Sequence, residues 1–463
     1  MAKKIGMVLG IVLGIVVALL DPPQGLTVKA MWGLGVFTWA VIYLIFDVLP
    51  DYIVTLTMCG LWVLVGAVKF NVAFSFFSNP NWWVLVGAFG LGVAAAKTGL
   101  LRRISLGIMK LLPSTFKGQT IAMMGSGTII SPLIPSFTAK AAICAPLSRG
   151  ISDAMGYAPK SRGAAGLFAA NVIGYIALAP AFMSASYLGF MLVSLVPKEL
   201  QSRFDWVGWF YLILPWTIVL LVLSFFCIMY FYHPKEKDSL PAGYAADQLK
   251  TMGPMGKKEK IALVVIVLTL LLWMTEKIHG ASAATVAVLA VAVLLMLKVY
   301  DRVDFRSQIT WDAAVFVGTI VGIGSVFPAL GIDKWMGNAL FPYISPLFSN
   351  PSLFVVGFSI IIYIIRFAIL SQTATIAIFM VMLSPLAMQA GISPWIVGMV
   401  VYVAGNTWTV FYQNAPYVAA FYAVGGDMVN HGQIAKLSVV YMVISIIGLL
   451  VCVPFWQLMG LIK

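Results

Sequence analysis

The chain has 463 residues and a net charge of +13; 61% of its residues are hydrophobic and only 10% are charged. Soluble domains carry about 25% charged residues, so a soluble fold could not hide this much apolar surface. A helix needs roughly 20 apolar residues to cross a bilayer, and lipid forces such runs to be helical because every backbone amide needs an internal partner. We therefore expect an all-α polytopic membrane protein.

Eleven apolar segments are predicted to cross the membrane as helices. The first follows Lys3 and Lys4 and resembles a signal peptide. Asp21-Pro22-Pro23 stands where a small-residue cleavage site would be, so we expect the segment to be retained. In chain order the predicted spans are 5–20, 31–47, 52–68, 82–97, 163–195, 205–231, 261–276, 282–297, 312–330, 394–425 and 437–459.

Two further apolar regions, 120–147 and 352–390, are broken near their centres by Ser, Thr and Pro. The arms of the first are about a dozen residues long, too short to span. We expect both regions to be re-entrant hairpins, which are tolerated at membrane depth only where protein or water surrounds them. The first arm of the second region is long enough to span alone, so a full span is the alternative there.

The distribution of basic residues predicts the orientation. With the N-terminus cytoplasmic and the C-terminus extracellular, 20 of the 29 Lys and Arg residues lie on the cytoplasmic side and seven on the other. Cytoplasmic loops in the plasma (cytoplasmic) membrane carry this excess and face anionic headgroups. The positive charge therefore indicates contact with membrane lipid and no nucleic acid partner.

The polar stretch 233–260 is predicted to be a cytoplasmic linker between two halves, 1–232 and 261–463, each with one hairpin. The halves share motifs, since Pro135–Ala139 in the first hairpin corresponds to Leu370–Ala374 in the second, 235 residues later. An odd number of predicted spans separates the hairpins. The repeat is therefore predicted to be inverted, a common plan for transporters.

Hydroxyl side chains cluster at the centre of each hairpin. Together with the N-terminal amides of the second arms they could donate to a carboxylate, and the helix dipole favours an anion there. Alternatively, they bond back to helix carbonyls and only aid packing. Because the motif occurs at two repeat-related places, we favour a binding site. These residues are Ser136, Thr138, Ser371, Thr373 and Thr375.

Two basic residues, Lys140 and Arg366, lie within the predicted hairpins. A charge at the bilayer centre costs at least about 2.5–3.5 kcal/mol, so something should offset it. Either the side chains extend to an interface, or the hairpins lie at a shallower depth, or the two charges balance that of a bound anion. All 16 Asp and Glu residues fall in loops or at segment ends. Because cation carriers usually need a carboxylate within the membrane, an anionic substrate is predicted.

Amide side chains in the long apolar segments either tie helices together or contact a ligand. Pro180 and Pro416 are predicted to break two of these segments opposite the hairpin tips. We find no phosphate loop and no nucleophile–base pair, so neither ATP-driven transport nor an enzyme is predicted. The four cysteines and three histidines are scattered, and no metal or cofactor is expected. The deep amides are Asn171, Asn406, Gln413 and Asn414.

The paired Ser-x-Thr motifs, together with Trp83–Arg103, Gln413–His431 and Pro454–Trp456, resemble the divalent anion/sodium symporter family of dicarboxylate and citrate carriers. The resemblance covers nearly the whole chain. It implies eleven helices and two hairpins, a homodimer, an elevator motion and a dicarboxylate bound between the hairpin tips. The substrate-binding residues it implies here are Ser136, Phe137, Thr138, Ser371, Gln372, Thr373 and Pro416, with Asn171, Thr375, Asn406 and Asn414 in support.

The sequence departs from the family motif Ser-Asn-Thr, beside which sodium binds in both hairpins. The middle residue is Phe137 in one hairpin and Gln372 in the other, and Phe137 offers no side-chain oxygen. Lys140 and Arg366 could do the electrostatic work of two sodium ions. The resulting hypothesis is sodium-independent exchange of C4/C5 dicarboxylates. The alternatives are a sodium-coupled symporter for dicarboxylate, citrate or sulfate, and an anion channel or receptor.

Overall fold

The computed structural model describes residues 2–235, 239–369 and 371–463. Within these ranges the chain is helical throughout, and only two isolated β-bridges occur. The helices up to the linker are α1 (Ala2–Leu19), α2 (Val28–Ile45), α3 (Asp51–Leu64), α4 (Phe70–Ala73), α5 (Pro80–Lys97), α6 (Leu100–Leu111), α7 (Phe116–Ile130), α8 (Phe137–Ala154), α9 (Arg162–Val172), α10 (Tyr187–Leu195), α11 (Lys198–Gln201), α12 (Trp206–Tyr232) and α13 (Tyr244–Thr251).

The second part of the chain has the same character. Its helices are α14 (Lys257–Met274), α15 (Glu276–His279), α16 (Ala283–Met296), α17 (Arg302–Ser307), α18 (Trp311–Ile320), α19 (Ile323–Leu330), α20 (Ile332–Phe348), α21 (Pro351–Ile365), α22 (Gln372–Gln389), α23 (Pro394–Gly405), α24 (Ala415–Ala423) and α25 (His431–Leu458).

Several of these helices are apolar and long enough to cross a membrane. By length and composition there are six in the described chain, or seven if α5 and α6, which meet at 66°, form one bent span. The shorter apolar helices, such as α3 and α16, fall below that length. The fold is all-α and polytopic, as predicted, whereas the number of eleven spans stays a prediction.

Glycines in the left-handed region end the helix before each hairpin unit. Gly99 (φ 77°) separates α5 from α6, and Gly331 (φ 70°) separates α19 from α20. Other residues rarely adopt this conformation, which explains why glycine stands at both bends. Because α6 and α20 each lead into a hairpin, the two bends occupy corresponding places in the two halves of the chain.

Each predicted hairpin is a pair of helices, and we call the segment that joins them its tip. The first tip is 131–136, between α7 and α8, and the second is 366–371, between α21 and α22, of which residue 370 lies outside the described ranges. The second arms start directly after a serine, because Ser136 accepts a hydrogen bond from the amide of Ala139 (3.2 Å) and Ser371 from that of Ala374 (3.1 Å). The second pair runs from 351 to 389, where a hairpin was predicted over 352–390; α22 is itself long and apolar enough to cross a membrane, so a re-entrant hairpin there stays a prediction. In the first pair the arms have 15 and 18 residues, not about a dozen, because both continue into polar sequence.

The segments after the hairpins are broken helices, as the prolines predicted. The first break, 173–186, separates α9 from α10. It contains a π-helical turn (173–177) and a 3₁₀ turn with Pro180, and α10 begins at Tyr187. The second break, 406–414, separates α23 from α24, and Pro416 is the second residue of α24. Residues of α9 and α23 are almost all buried, so the breaks lie deep inside the molecule.

The broken helices and the hairpins of the two halves interlock. Helix α10 packs against α22 of the second hairpin, and α24 packs against α8 of the first. Each break therefore lies beside the hairpin tip of the other half. This crossed packing brings the two tips, the two breaks and their exposed backbone groups into one region of the molecule.

The polar linker also carries structure. Helix α13 packs against α6, and Arg102 donates to the side-chain oxygen of Gln248 (2.9 Å). Arg103 forms an ion pair with Glu259 (2.5 Å) at the start of α14. Residues 236–238 lie outside the described ranges.

Candidate functional site

Tyr187 joins the tips of the two hairpins. Its backbone amide donates to the carbonyl oxygen of Pro135 in the first tip (3.1 Å), and its hydroxyl bonds to Oγ1 of Thr373 just after the second (2.7 Å). Residues far apart in sequence therefore meet around one side chain. Sequence reasoning missed Tyr187; its one signal was its place, directly after the first helix break.

The tip hydroxyls divide into two groups. Ser136 and Ser371 cap the second arms, and Thr138 and Thr373 lie two residues further along. Thr375 instead donates to the carbonyl oxygen of Ser371 (2.8 Å), the helix-internal bond that the packing alternative describes. Thr375 is therefore used within its helix, whereas the other four hydroxyls lie at the starts of the two second arms.

Lys140 is fully buried in α8, next to the first tip. Its Nζ donates to the carbonyl oxygens of Ser131 in the tip (3.2 Å) and Ala185 in the first break (2.9 Å). Among the ion pairs of the described residues, none includes Lys140. The side chain therefore ends inside the protein, on two backbone carbonyls, and its role in balancing a bound anion stays a prediction.

Arg366 has the corresponding arrangement at the second tip. It is buried at the end of α21, and its guanidinium donates to the carbonyl oxygens of Ile369 in the tip (2.7 Å) and Gln413 in the second break. The side chain of Gln413 donates back to the carbonyl oxygen of Arg366 (3.3 Å). Each basic group thus joins one carbonyl of its own tip to one carbonyl of the following break.

This pair of carbonyl sets is the kind of site that binds a small cation. Unwound carbonyls at broken helices coordinate sodium in many transporters. Here the carbonyl oxygens already accept hydrogen bonds from the ammonium group of Lys140 and the guanidinium group of Arg366. The middle residues of the two tip motifs are directed elsewhere: Phe137 is buried, and Gln372 donates to the carbonyl oxygen of Tyr402 (3.2 Å).

The deep amides tie helices together. Asn406 donates to the carbonyl oxygen of Ile176 (2.9 Å), which links the second break to the first, and Asn414 donates to Asn406 (3.0 Å). Asn171 donates weakly to the carbonyl oxygen of Ala141 in α8 (3.5 Å). These bonds hold the breaks against each other and against the first hairpin. Pro416 is buried in the first turn of α24.

A carboxylate also reaches the site, which the sequence did not predict. Asp51, the first residue of α3, accepts a hydrogen bond from the hydroxyl of Ser371. It lines a cavity of about 240 Å³ that also contains Asp312, Tyr187 and Thr373. Asp51 is at a segment end, as predicted, but the fold places that end against the second hairpin tip.

The helical fold, the interlocked broken helices and the buried basic side chain at each hairpin tip are features of a multi-pass membrane transporter. Residues 1–462 match the family described as "Sodium:sulfate symporter transmembrane region", and the chain belongs to this family. The match confirms the family resemblance, which the sequence motifs indicated over nearly the whole chain.

Two relatives are similar in sequence to most of the chain. The chain is 26% identical over 388 residues to the L-tartrate/succinate antiporter of Escherichia coli (strain K12), covering 78% of each protein. It is also 26% identical over 345 residues to YflS of Bacillus subtilis (strain 168), which is named as a candidate malate transporter, with 73% of this chain and 72% of YflS covered.

Solved transporter structures share the fold. The Alcanivorax borkumensis YdaH transporter superposes with a TM-score of 0.58 at 16% identity, covering 86% of this chain and 88% of YdaH. Neisseria gonorrhoeae MtrF superposes with a TM-score of 0.56 at 15% identity, covering 97% and 94%. At such identities the likeness concerns the fold alone.

Proposed function

We propose that the protein exchanges C4/C5 dicarboxylates across the cytoplasmic membrane without sodium, by an elevator-type alternating-access mechanism. The observation that carries this proposal is the fixed cation at each tip, Lys140 and Arg366, each bonded to a tip carbonyl and a break carbonyl. The names of the E. coli and B. subtilis relatives, with tartrate, succinate and malate, support a dicarboxylate as substrate.

The chemistry of the tips suits a dianion. Two buried positive charges balance two carboxylates, and Ser136, Thr138, Ser371 and Thr373 supply hydroxyl donors beside two helix N-termini. Charge-assisted hydrogen bonds of this kind are about twice as strong as neutral ones. The substrate-binding set is therefore these four residues with Phe137, Gln372 and Pro416 as neighbours.

Exchange follows from the fixed charges. A sodium symporter loses its cations when it releases substrate, whereas Lys140 and Arg366 stay. Each uncompensated charge costs at least about 2.5 kcal/mol in the bilayer interior. A barrier raised by the cost of one such charge slows the return of an empty site by roughly 10²-fold. A bound dianion removes that cost, so only the loaded site crosses readily.

The elevator motion rests on the crossed packing. Because α10 contacts α22 and α24 contacts α8, the two hairpins and the two broken helices are joined to one another and can move as one body. We propose that this body carries the substrate past the remaining helices within a homodimer.

Ion pairs support the predicted alternation of the segments across the membrane, and the excess of basic residues orients it with the N-terminus cytoplasmic and the C-terminus extracellular. Lys3 pairs with Asp47 (2.7 Å), and Arg149 pairs with Asp427 (3.3 Å); each pair joins segments predicted to be cytoplasmic. On the predicted outer side, Lys277 pairs with Asp205. Every such contact connects segments that the topology places on one side of the membrane.

Counterflow in proteoliposomes tests transport and exchange. Vesicles with purified protein are loaded with unlabelled succinate, malate, 2-oxoglutarate, citrate or sulfate, and uptake of labelled succinate is followed. We expect C4 or C5 dicarboxylates inside to accelerate uptake several-fold over empty vesicles. An anion channel would instead pass net current and show no acceleration by internal substrate, which would refute the proposal.

A further inference from the structure

The contact between Asp51 and Ser371 joins the start of α3 to the start of α22. Helix α3 packs mainly against α2 and α18, whereas Ser371 caps α22 in the second hairpin. Asp51 Oδ2 accepts the hydroxyl proton of Ser371, while the same hydroxyl oxygen accepts the amide of Ala374 (3.1 Å). Both hydrogen-bonding functions of this hydroxyl are therefore in use.

A serine hydroxyl has a single proton to donate. It cannot bond to Asp51 and to a substrate carboxylate at the same time. The Asp51 side chain is itself a carboxylate, with the shape and charge of one end of a dicarboxylate. The cavity of about 240 Å³ beside it, which contains Tyr187 and Thr373, leaves room for a small molecule at this tip.

We propose that Asp51 is an internal competitor of the substrate: it occupies the Ser371 subsite in the empty carrier and is displaced by a substrate carboxylate. This inference rests on the proposed function, because it assumes that a dicarboxylate binds at the tips. While Asp51 holds Ser371, the second hairpin is tied to α3, a helix outside the proposed moving body. Substrate binding releases that tie, so the carboxylate of Asp51 reinforces exchange.

The proposal is tested by measuring succinate binding to purified protein by isothermal titration calorimetry. Asp51→Asn removes the competing charge and keeps the size of the side chain. We expect the Kd to fall about tenfold, the order expected when a hydrogen bond to a charged group no longer competes. A fall in the Kd is informative, because a variant that merely damages the fold would bind succinate more weakly and raise the Kd.

Asp312→Asn is the matched control. Asp312 lies in the same cavity and carries the same charge, but Ser371 bonds to Asp51. We expect its Kd to fall much less than that of Asp51→Asn, because the change removes one exposed charge from the cavity and no competing hydrogen bond. An equal gain in both variants would refute the specific competition and leave only a general charge effect.

The Ser371→Ala background completes the test. Without the hydroxyl nothing remains for Asp51 and substrate to compete for, so adding Asp51→Asn should change the Kd little. An unchanged or raised Kd in Asp51→Asn alone would overturn the proposal, while succinate binding by the wild-type protein would leave the proposed function standing. If the wild-type protein binds no dicarboxylate, both fail together.

Discussion

Lys140 and Arg366 are buried basic side chains whose donors reach backbone carbonyls at the hairpin tips and helix breaks. Changing either residue to Gln keeps a donor and removes the charge. We expect exchange in proteoliposomes to fall at least tenfold, because the dianion loses a buried counter-charge. Lys110→Gln, on the exposed side of α6, is the control and should exchange normally. Wild-type rates in both buried variants would reduce these charges to a structural role.

A second prediction at the residue scale concerns the threonines at the tips, Thr138 and Thr373. Thr138→Ala or Thr373→Ala removes one proposed donor and should raise the Kd for succinate about three- to tenfold, the range for one hydrogen bond. Thr375→Ala is a close control, because its hydroxyl bonds to the Ser371 carbonyl within the helix. Normal affinity in Thr138→Ala and Thr373→Ala would place the binding site elsewhere.

Several site residues could be found from the sequence and others could not. Lys140, Arg366 and the paired serines stood out because charge and hydroxyl are rare in apolar segments and recur in both halves. Tyr187 and Asp51 carried no such signal, since a tyrosine and an acidic residue at segment ends are common. Their roles depend on tertiary packing: Asp51 and Ser371 are 320 residues apart.

At the scale of elements, the bend before each hairpin depends on backbone conformation. Gly331 has a φ of 70°, and an added Cβ would meet nothing within 4 Å, so Gly331→Ala tests conformation alone. We expect a loss of about 1–2 kcal/mol in unfolding free energy, the cost of the left-handed region for other residues. It appears as a lower Tm in detergent.

Gly324→Ala is the control for this bend. Its added Cβ is equally unobstructed, and Gly324 lies within α19, where alanine favours the helix. The Tm of this variant should be unchanged or higher. A Tm for Gly331→Ala equal to that of Gly324→Ala would show that the bend does not need glycine.

Helix ends were harder to predict than helix interiors. Apolar patterning placed the outer ends of α21 and α22 within about one residue, because these helices stay apolar to their ends; that they form a re-entrant hairpin stays a prediction. The first hairpin was predicted too short, since α7 begins with polar residues and α8 continues past Arg149 to Ala154. Packing against neighbouring helices stabilises those polar turns. The apolar pattern of a single segment gives no information about that packing, so it could not predict these helix ends.

At the scale of the whole molecule, the proposed orientation predicts which surfaces face each side. Lys250 on α13 and Lys198 on α11 are both exposed. In cells, a membrane-impermeant thiol reagent should label Lys198→Cys from outside and Lys250→Cys only after the membrane is opened. The native cysteines give little background, because three are buried and Cys227 is half-buried. The reverse pattern would invert the topology.

The crossed packing of the two halves could not be derived from the sequence alone. The repeat indicated two similar units, but the contact of α10 with α22 and of α24 with α8 is a property of the assembled fold. It explains why the tips and breaks from both halves form one site. Under the proposed function, the coupling of transport depends on that shared site.

Sodium dependence tests the central claim most directly. Proteoliposomes are prepared with or without internal dicarboxylate and given labelled succinate in sodium or in potassium buffer. With fixed charges at Lys140 and Arg366, we expect equal uptake in both buffers when dicarboxylate is inside, and almost none in empty vesicles. Accumulation in empty vesicles driven by an inward sodium gradient, and absent in potassium, would contradict the account and support a sodium symporter.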